Sequence, residues 1–88
     1  MLSYDRKRLG SFLRDMREGS DWTQLEVSRK LGYTSPQFIS NIERGISVVP
    51  LKTLARMIQL YKADPEEVVN IILESQRRLL KVKLMKGR

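Results

Sequence analysis

The placement of prolines and glycines restricts the fold of this chain more than any other feature. All three prolines stand where a helix can open, in Ser35-Pro36, Val49-Pro50 and Asp64-Pro65. Proline is tolerated in the first turn, where its missing N–H has no intrahelical partner, but not in a helix interior or a central strand. Gly19, Gly32 and Gly45 close the stretches between these openings. A residue without Cβ permits the left-handed conformation that stops a helix. Within each stretch the apolar residues recur at the period of a helix, so the chain reads as all-α, with five helices and short connections.

Leu9, Phe12, Leu13 and Met16 form one stripe of a first helix, roughly residues 5–18, closed by Gly19. Thr23-Gln24-Leu25-Glu26 is a capping box that opens a second helix of about two turns, to Leu31, with Trp22 and Val27 at the staple positions. Ser35 as N-cap and Pro36 as first helical residue open a third helix that runs to Arg44, with Ile39 and Ile42 inward and Phe38 at its edge. Pro50 starts a fourth helix with Leu51, Leu54, Ala55, Ile58 and Tyr61 on one face. Asp64-Pro65-Glu66-Glu67 starts a fifth, whose stripe of Val68, Ile72, Leu79 and Val82 predicts helix through about residue 80. Beyond Leu79 the segment Leu80-Lys81-Val82-Lys83-Leu84 also alternates like a half-buried strand.

Eighty-eight residues suit one small domain. No apolar run approaches the ~20 residues that cross a bilayer, which predicts a soluble protein. The charged start Asp5-Arg6-Lys7-Arg8 lacks the apolar stretch of a secretory signal, and the chain has no cysteine, so a cytoplasmic location is expected. Without Cys or His there is no thiolate nucleophile, no imidazole and none of the usual zinc ligands. The ten carboxylates have no catalytic motif around them, so neither an enzyme, a cofactor nor a metal site is expected. Seventeen Lys and Arg against ten Asp and Glu give a net charge of +7, which suits a polyanionic partner. The charge is uneven: residues 63–76 carry four acids and no base, whereas residues 77–88 carry six bases and no acid. Net charge therefore does not locate a binding face.

Two short helices joined by a tight glycine-containing turn form the helix-turn-helix arrangement. Here Met16-Arg17-Glu18, then Trp22-Thr23-Gln24-Leu25-Glu26-Val27-Ser28-Arg29-Lys30-Leu31-Gly32, then Ile39-Ser40-Asn41-Ile42-Glu43-Arg44-Gly45 resembles, in order, the xenobiotic-response-element family that includes phage repressors and Cro proteins. The resemblance spans roughly residues 8–73 and implies a five-helix, Cro/phage-repressor-like domain that binds double-stranded DNA as a transcriptional regulator, with repressor the expected role. It implies that Gln24 steadies the domain on a phosphate and that the third helix enters the major groove. Gln37 and Asn41 would then meet base edges, with Thr34, Ser35, Phe38 and Ser40 beside them. Amide side chains offer both donor and acceptor and can pair bidentately with adenine. Arg44 and Lys52 become phosphate candidates, as do the amides at the starts of the second and fourth helices. Arg17 and Glu43 match a family pair that forms a salt bridge between the first and third helices.

The turn Gly32-Tyr33-Thr34-Ser35-Pro36 is one residue longer than the commonest family turn, and Val48-Val49 lacks the basic residues that some phage repressors place beside the DNA backbone. The expected division is a DNA-binding domain at 1–76 and a basic extension at 77–88. A homodimer through the fifth helix is expected, because Val69, Leu73, Leu80 and Leu84 together with Ile72, Leu79 and Val82 give more apolar surface than one domain needs. The contact is expected at residues 68–82, with residues 83–88 free because Lys81, Lys83 and Lys86 would approach their symmetry mates, and the alternative is that these residues fold back on their own core. The alternative to a simple regulator is an antitoxin-type module, which binds DNA with the same domain and a partner protein with its C-terminal segment. The basic cluster Arg77, Arg78, Lys81, Lys83, Lys86 and Arg88 reads most simply as a solubilising end.

Overall fold

The computed structural model describes residues 4–87, and Arg88 of the basic cluster lies outside them. The chain forms α1 (Arg6–Gly19), α2 (Gln24–Lys30), α3 (Gln37–Glu43), α4 (Leu51–Tyr61) and α5 (Pro65–Lys86). Among the described residues every regular element is a helix. None of these helices is long and apolar enough to cross a membrane.

Local chemistry sets the boundaries. The Asp5 carboxylate accepts the Arg8 amide at the start of α1 (3.1 Å). Both halves of the capping box form at α2: the Glu26 amide donates to the Thr23 hydroxyl (3.1 Å) and the Thr23 amide to the Glu26 carboxylate (2.9 Å). Gly32 and Gly45 take positive φ of 91° and 76° where α2 and α3 end. Asp64 caps α5 by accepting the Glu66 amide at 3.0 Å.

The α1 residues Leu9 and Leu13 sit at the centre of the core, against Val27 of α2, Ile39 and Ile42 of α3, Met57 of α4 and Val68 and Ile72 of α5. A Cβ at Gly10 would collide with the backbone carbonyls of Ile42 and Glu43, so α1 and α3 meet main chain to main chain there. That contact fixes the depth at which α3 is seated.

Three expectations are corrected. The third helix starts one residue late: Pro36 is its cap residue, with φ −76° and ψ −3°, and the Ser35 hydroxyl reaches the Gln37 amide only at 3.4 Å. The Pro36 carbonyl accepts the Ser40 amide at 2.9 Å and so opens the helix, while Pro36 itself has no N–H for the Ser35 hydroxyl to accept. The buried face of α4 is Leu54, Met57 and Tyr61 with Ile58 half-buried, whereas Leu51 is 65% exposed and Ala55 is exposed. Leu51 lies a turn beyond the core's edge, and Ala55 is about 100° round the helix from Leu54. Finally, α5 continues to Lys86, six residues past the expected end. The alternating segment at 80–84 has no strand to pair with among the described residues, and a helix satisfies its own backbone hydrogen bonds.

Ser75 is the last buried residue of α5, and residues 77–87 are all exposed. The apolar residues expected to form one patch divide three ways. Ile72 belongs to the core, Leu79 continues its stripe into a hollow lined also by Tyr4, Asp5 and Ser75, Val82 lies one turn further on, and Val69, Leu73, Leu80 and Leu84 lie on a different face.

Candidate nucleic-acid interface

The side chains that hold α3 against the rest of the domain come from three helices. Arg17 of α1 donates from Nε to Glu43 Oε2 (2.6 Å) and from Nη2 to Glu43 Oε1 (3.1 Å), a two-pronged contact. Its Nη1 donates to the Trp22 carbonyl at 2.8 Å, which ties down the loop before α2. Gln24 of α2 donates its amide to Glu43 Oε1 at 2.9 Å. Glu43 therefore receives three donors while almost fully buried, with its side chain 3% exposed and that of Arg17 10%. The hydrogen bond that Arg17 donates to Glu43 holds its guanidinium above the ordinary pKa, outweighing burial, so the arginine stays charged. A planar fork meeting a carboxylate fixes both distance and orientation, and this contact sets the angle of α3.

With Ile39 and Ile42 buried, the opposite face of α3 points away from the core. Gln37 lies on that face, exposed, and Asn41 follows one turn later, half-buried. The two are linked: Gln37 Nε2 donates to Asn41 Oδ1 at 2.9 Å. This leaves the Gln37 side-chain oxygen and the Asn41 side-chain nitrogen as an acceptor and a donor with no partner among the described residues. Thr34 and Ser35 are exposed in the turn ahead of α3, Ser40 is half-buried beside Asn41, and Arg44 is exposed at the helix end. Phe38 is turned partly inward against the core, its ring 4.7 Å from that of Tyr33.

The edges of this face carry the charge. Lys52 is exposed in the first turn of α4, whose N-terminal amides have no side-chain cap, unlike those of α2. Two bases that the sequence did not single out lie beside the α3–α4 loop. Arg6 Nη1 donates to the Ile46 carbonyl (3.3 Å), and Lys7 packs so closely on Gly45 that a Cβ there would strike its backbone. Arg6 is 40 residues from Ile46, so no local pattern announces the contact. The loop lacking its own bases is thus supplied with them by α1.

Two short helices, α2 and α3, joined by a tight turn through Gly32 inside an all-helical body are the helix-turn-helix arrangement. Residues 8–70 match the family model for the helix-turn-helix domain, and the chain belongs to that family. Among solved structures it is similar to the crystal structure of the clp gene regulator ClgR from C. glutamicum. The TM-score is 0.68 and the identity 27%, covering 85% of this chain and 95% of that one. No curated protein matches the sequence. Family and fold together support a DNA-binding transcriptional regulator.

Proposed function

We propose that this chain is a sequence-specific transcriptional repressor of the xenobiotic-response-element, Cro/phage-repressor-like type, which acts in the cytoplasm by occupying an operator in double-stranded DNA. The amide pair on α3 carries the proposal. The acceptor left on Gln37 and the donor left on Asn41 complement the N6 donor and N7 acceptor that adenine shows in the major groove. Their mutual hydrogen bond orders both side chains before DNA arrives, which lowers the entropy cost of contact. Thr34, Ser35 and Ser40 flank the pair, and Phe38 offers its exposed edge to a thymine methyl.

Arg44, Lys52 and the uncapped first turn of α4 hold the phosphates on one side of the groove. Gln24, with one hydrogen of its amide engaged by Glu43, keeps the second amide hydrogen and the neighbouring backbone N–H groups for a phosphate on the other side, so it steadies the domain rather than reading sequence. Residues 1–76 form the DNA-binding domain and 77–88 an extension used in assembly. One recognition helix covers few base pairs, so two copies related by a two-fold axis bind half-sites about 34 Å apart.

The test is selection of a bound sequence from random duplexes, followed by titration of single substitutions on that site and on unrelated DNA. Gln37→Ala and Asn41→Ala should each cost about 1–3 kcal/mol on the selected site and little on unrelated DNA. Failure to enrich any sequence, or equal losses on both DNAs, overturns the proposal.

A further inference from the structure

The last turn of α2 meets the second half of α4, and two hollows flank Lys30 there. One, of about 310 Å³, is lined by Lys30 and Leu31 together with Arg56, Gln59 and Leu60. The other, of about 290 Å³, is lined by Trp22, Glu26, Arg29 and Lys30. Trp22, Leu31 and Leu60 are half-buried and pack inward on the core, so their outer surfaces give the hollows apolar floors. Both hollows are open to solvent and meet at Lys30, so they suit two side chains of one segment better than a small molecule that must be enclosed.

The rim of this patch is basic and not neutralised. Arg29, Lys30 and Arg56 are exposed, and none has a carboxylate within 4.0 Å among the described residues. Exposure alone does not explain this, because the equally exposed Arg8, Arg14 and Arg78 each have one, at 3.0, 3.5 and 3.7 Å. Glu26, the acid on the rim, is engaged by the Thr23 amide at 2.9 Å. Two of the bases are nevertheless held in place. Arg56 Nη2 donates to the Lys30 carbonyl at 2.8 Å, which leaves the other N–H groups of the guanidinium free to turn outward. The Lys30 ammonium lies 5.8 Å from the centre of the Trp22 ring. A carbonyl and a ring face orient a cation without cancelling its charge. The helix dipole favours bases in this last turn, but it does not call for two apolar hollows between them.

We propose that this patch between α2 and α4 is a docking surface for an acidic segment of a partner protein, one that sets a large apolar side chain in each hollow and a carboxylate between them against Lys30. Burial of the apolar side chains supplies affinity, and carboxylates facing Arg29, Lys30 and Arg56 fix the position and direction of the segment. A nucleic acid fits less well, because phosphates leave the apolar floors uncovered and Lys30 stands over the Trp22 ring on which a base would stack. Docking is compatible with bound DNA. Lys30 is about 9 Å along α2 from Gln24, and Arg56 and Leu60 are about 6 and 12 Å along α4 from Lys52, so the patch is set back from the helix ends that meet phosphates. Only this placement rests on the DNA reading; the docking surface itself does not.

The test is to select peptides from a displayed random library against the intact chain, synthesise the enriched ones and titrate them into isotope-labelled protein by NMR. The enriched peptides should carry Asp or Glu between large apolar residues. The amide signals that move should centre on Trp22, Lys30, Leu31, Gln59 and Leu60 and spare Gln37 and Asn41. Added salt should weaken binding, and Lys30→Glu should weaken it several-fold. A peptide whose central acid is replaced by lysine should regain part of that loss on the Lys30→Glu chain. Arg29→Glu gives a second reading with the same expected direction; both residues are exposed and outside any ion pair among the described residues, so the fold persists, as the spectra will verify. Enrichment of no acidic sequence, shifts centred elsewhere, or undiminished binding to both variants overturns the proposal. So do random-sequence oligonucleotides that move the same amides when acidic peptides do not, which means a nucleic-acid surface, and shifts of those amides on concentrating the protein alone, which mean a second copy. Peptide binding by a chain that selects no DNA leaves the docking surface standing and removes the DNA reading. Selection of DNA without peptide binding does the reverse.

Discussion

Replacing Glu43 by alanine tests the central link between packing and function, because this side chain joins three helices. The substitution leaves the Arg17 guanidinium without its two-pronged acceptor, in a site where the arginine side chain is 10% exposed. It also strands the Gln24 amide that donates to the same carboxylate. Removing one member of a buried pair costs about 3–5 kcal/mol, mostly through the uncompensated charge left behind. A domain of this size has about 4–13 kcal/mol of total stability, so the loss is a large share of it. At ~4–8 °C per kcal/mol, the melting temperature should fall by at least about 12 °C. Thermal and urea unfolding followed by circular dichroism measure the effect. Arg17→Met combined with Glu43→Leu should be more stable than either single truncation, since the cost lies in stranded charge rather than in lost attraction. A loss under about 1 kcal/mol, or a double variant as unstable as the sum of its parts, would refute the reasoning.

Arg44→Ala and Lys52→Ala should weaken binding to all sequences alike, and each should flatten the dependence of log affinity on log salt by about one unit if it meets a phosphate; a loss confined to one sequence would instead make the residue a base reader. The Tyr61 hydroxyl is buried without a hydrogen-bond partner among the described residues, so Tyr61→Phe should be neutral or slightly stabilising at pH 7 in urea unfolding. Burial pushes the Tyr61 phenol well above its ordinary value, so the folded protein retains a proton that the unfolded chain loses near pH ~10. Stability should be complete below that pH and fall as pH rises above it, and Tyr61→Phe should remove this alkaline component. Glu26 runs the other way: the Thr23 amide and hydroxyl hold its carboxyl below the usual range, so the cap's contribution is present at neutral pH and lost as pH falls through the folded value. Acid titration of Glu26→Ala by circular dichroism should lack that component.

Where helix ends carry their own chemistry, sequence was enough to place them. The capping box of Thr23 and Glu26 closes within three residues, and Gly32, Gly45 and Pro65 each act through local backbone geometry, so their effect on the chain needs no distant partner. The end of α4 lacks such a mark: Lys62 adopts φ of 55° without being glycine, a strained turn made by the packing on either side. Tertiary structure alone decided which face of α4 is inside, because Met57 and Ala55 both fit an apolar pattern and only the position of the core separates them. The same holds for α5, where Ile72 is buried and Leu80 exposed although both are large aliphatic residues on one helix. The amides of α3 were legible as a type, but their mutual hydrogen bond was not. Nor was the arrival of Arg6 beside Ile46, because contacts across 40 residues depend on how helices cross, and no period or cap in a single chain encodes that crossing directly.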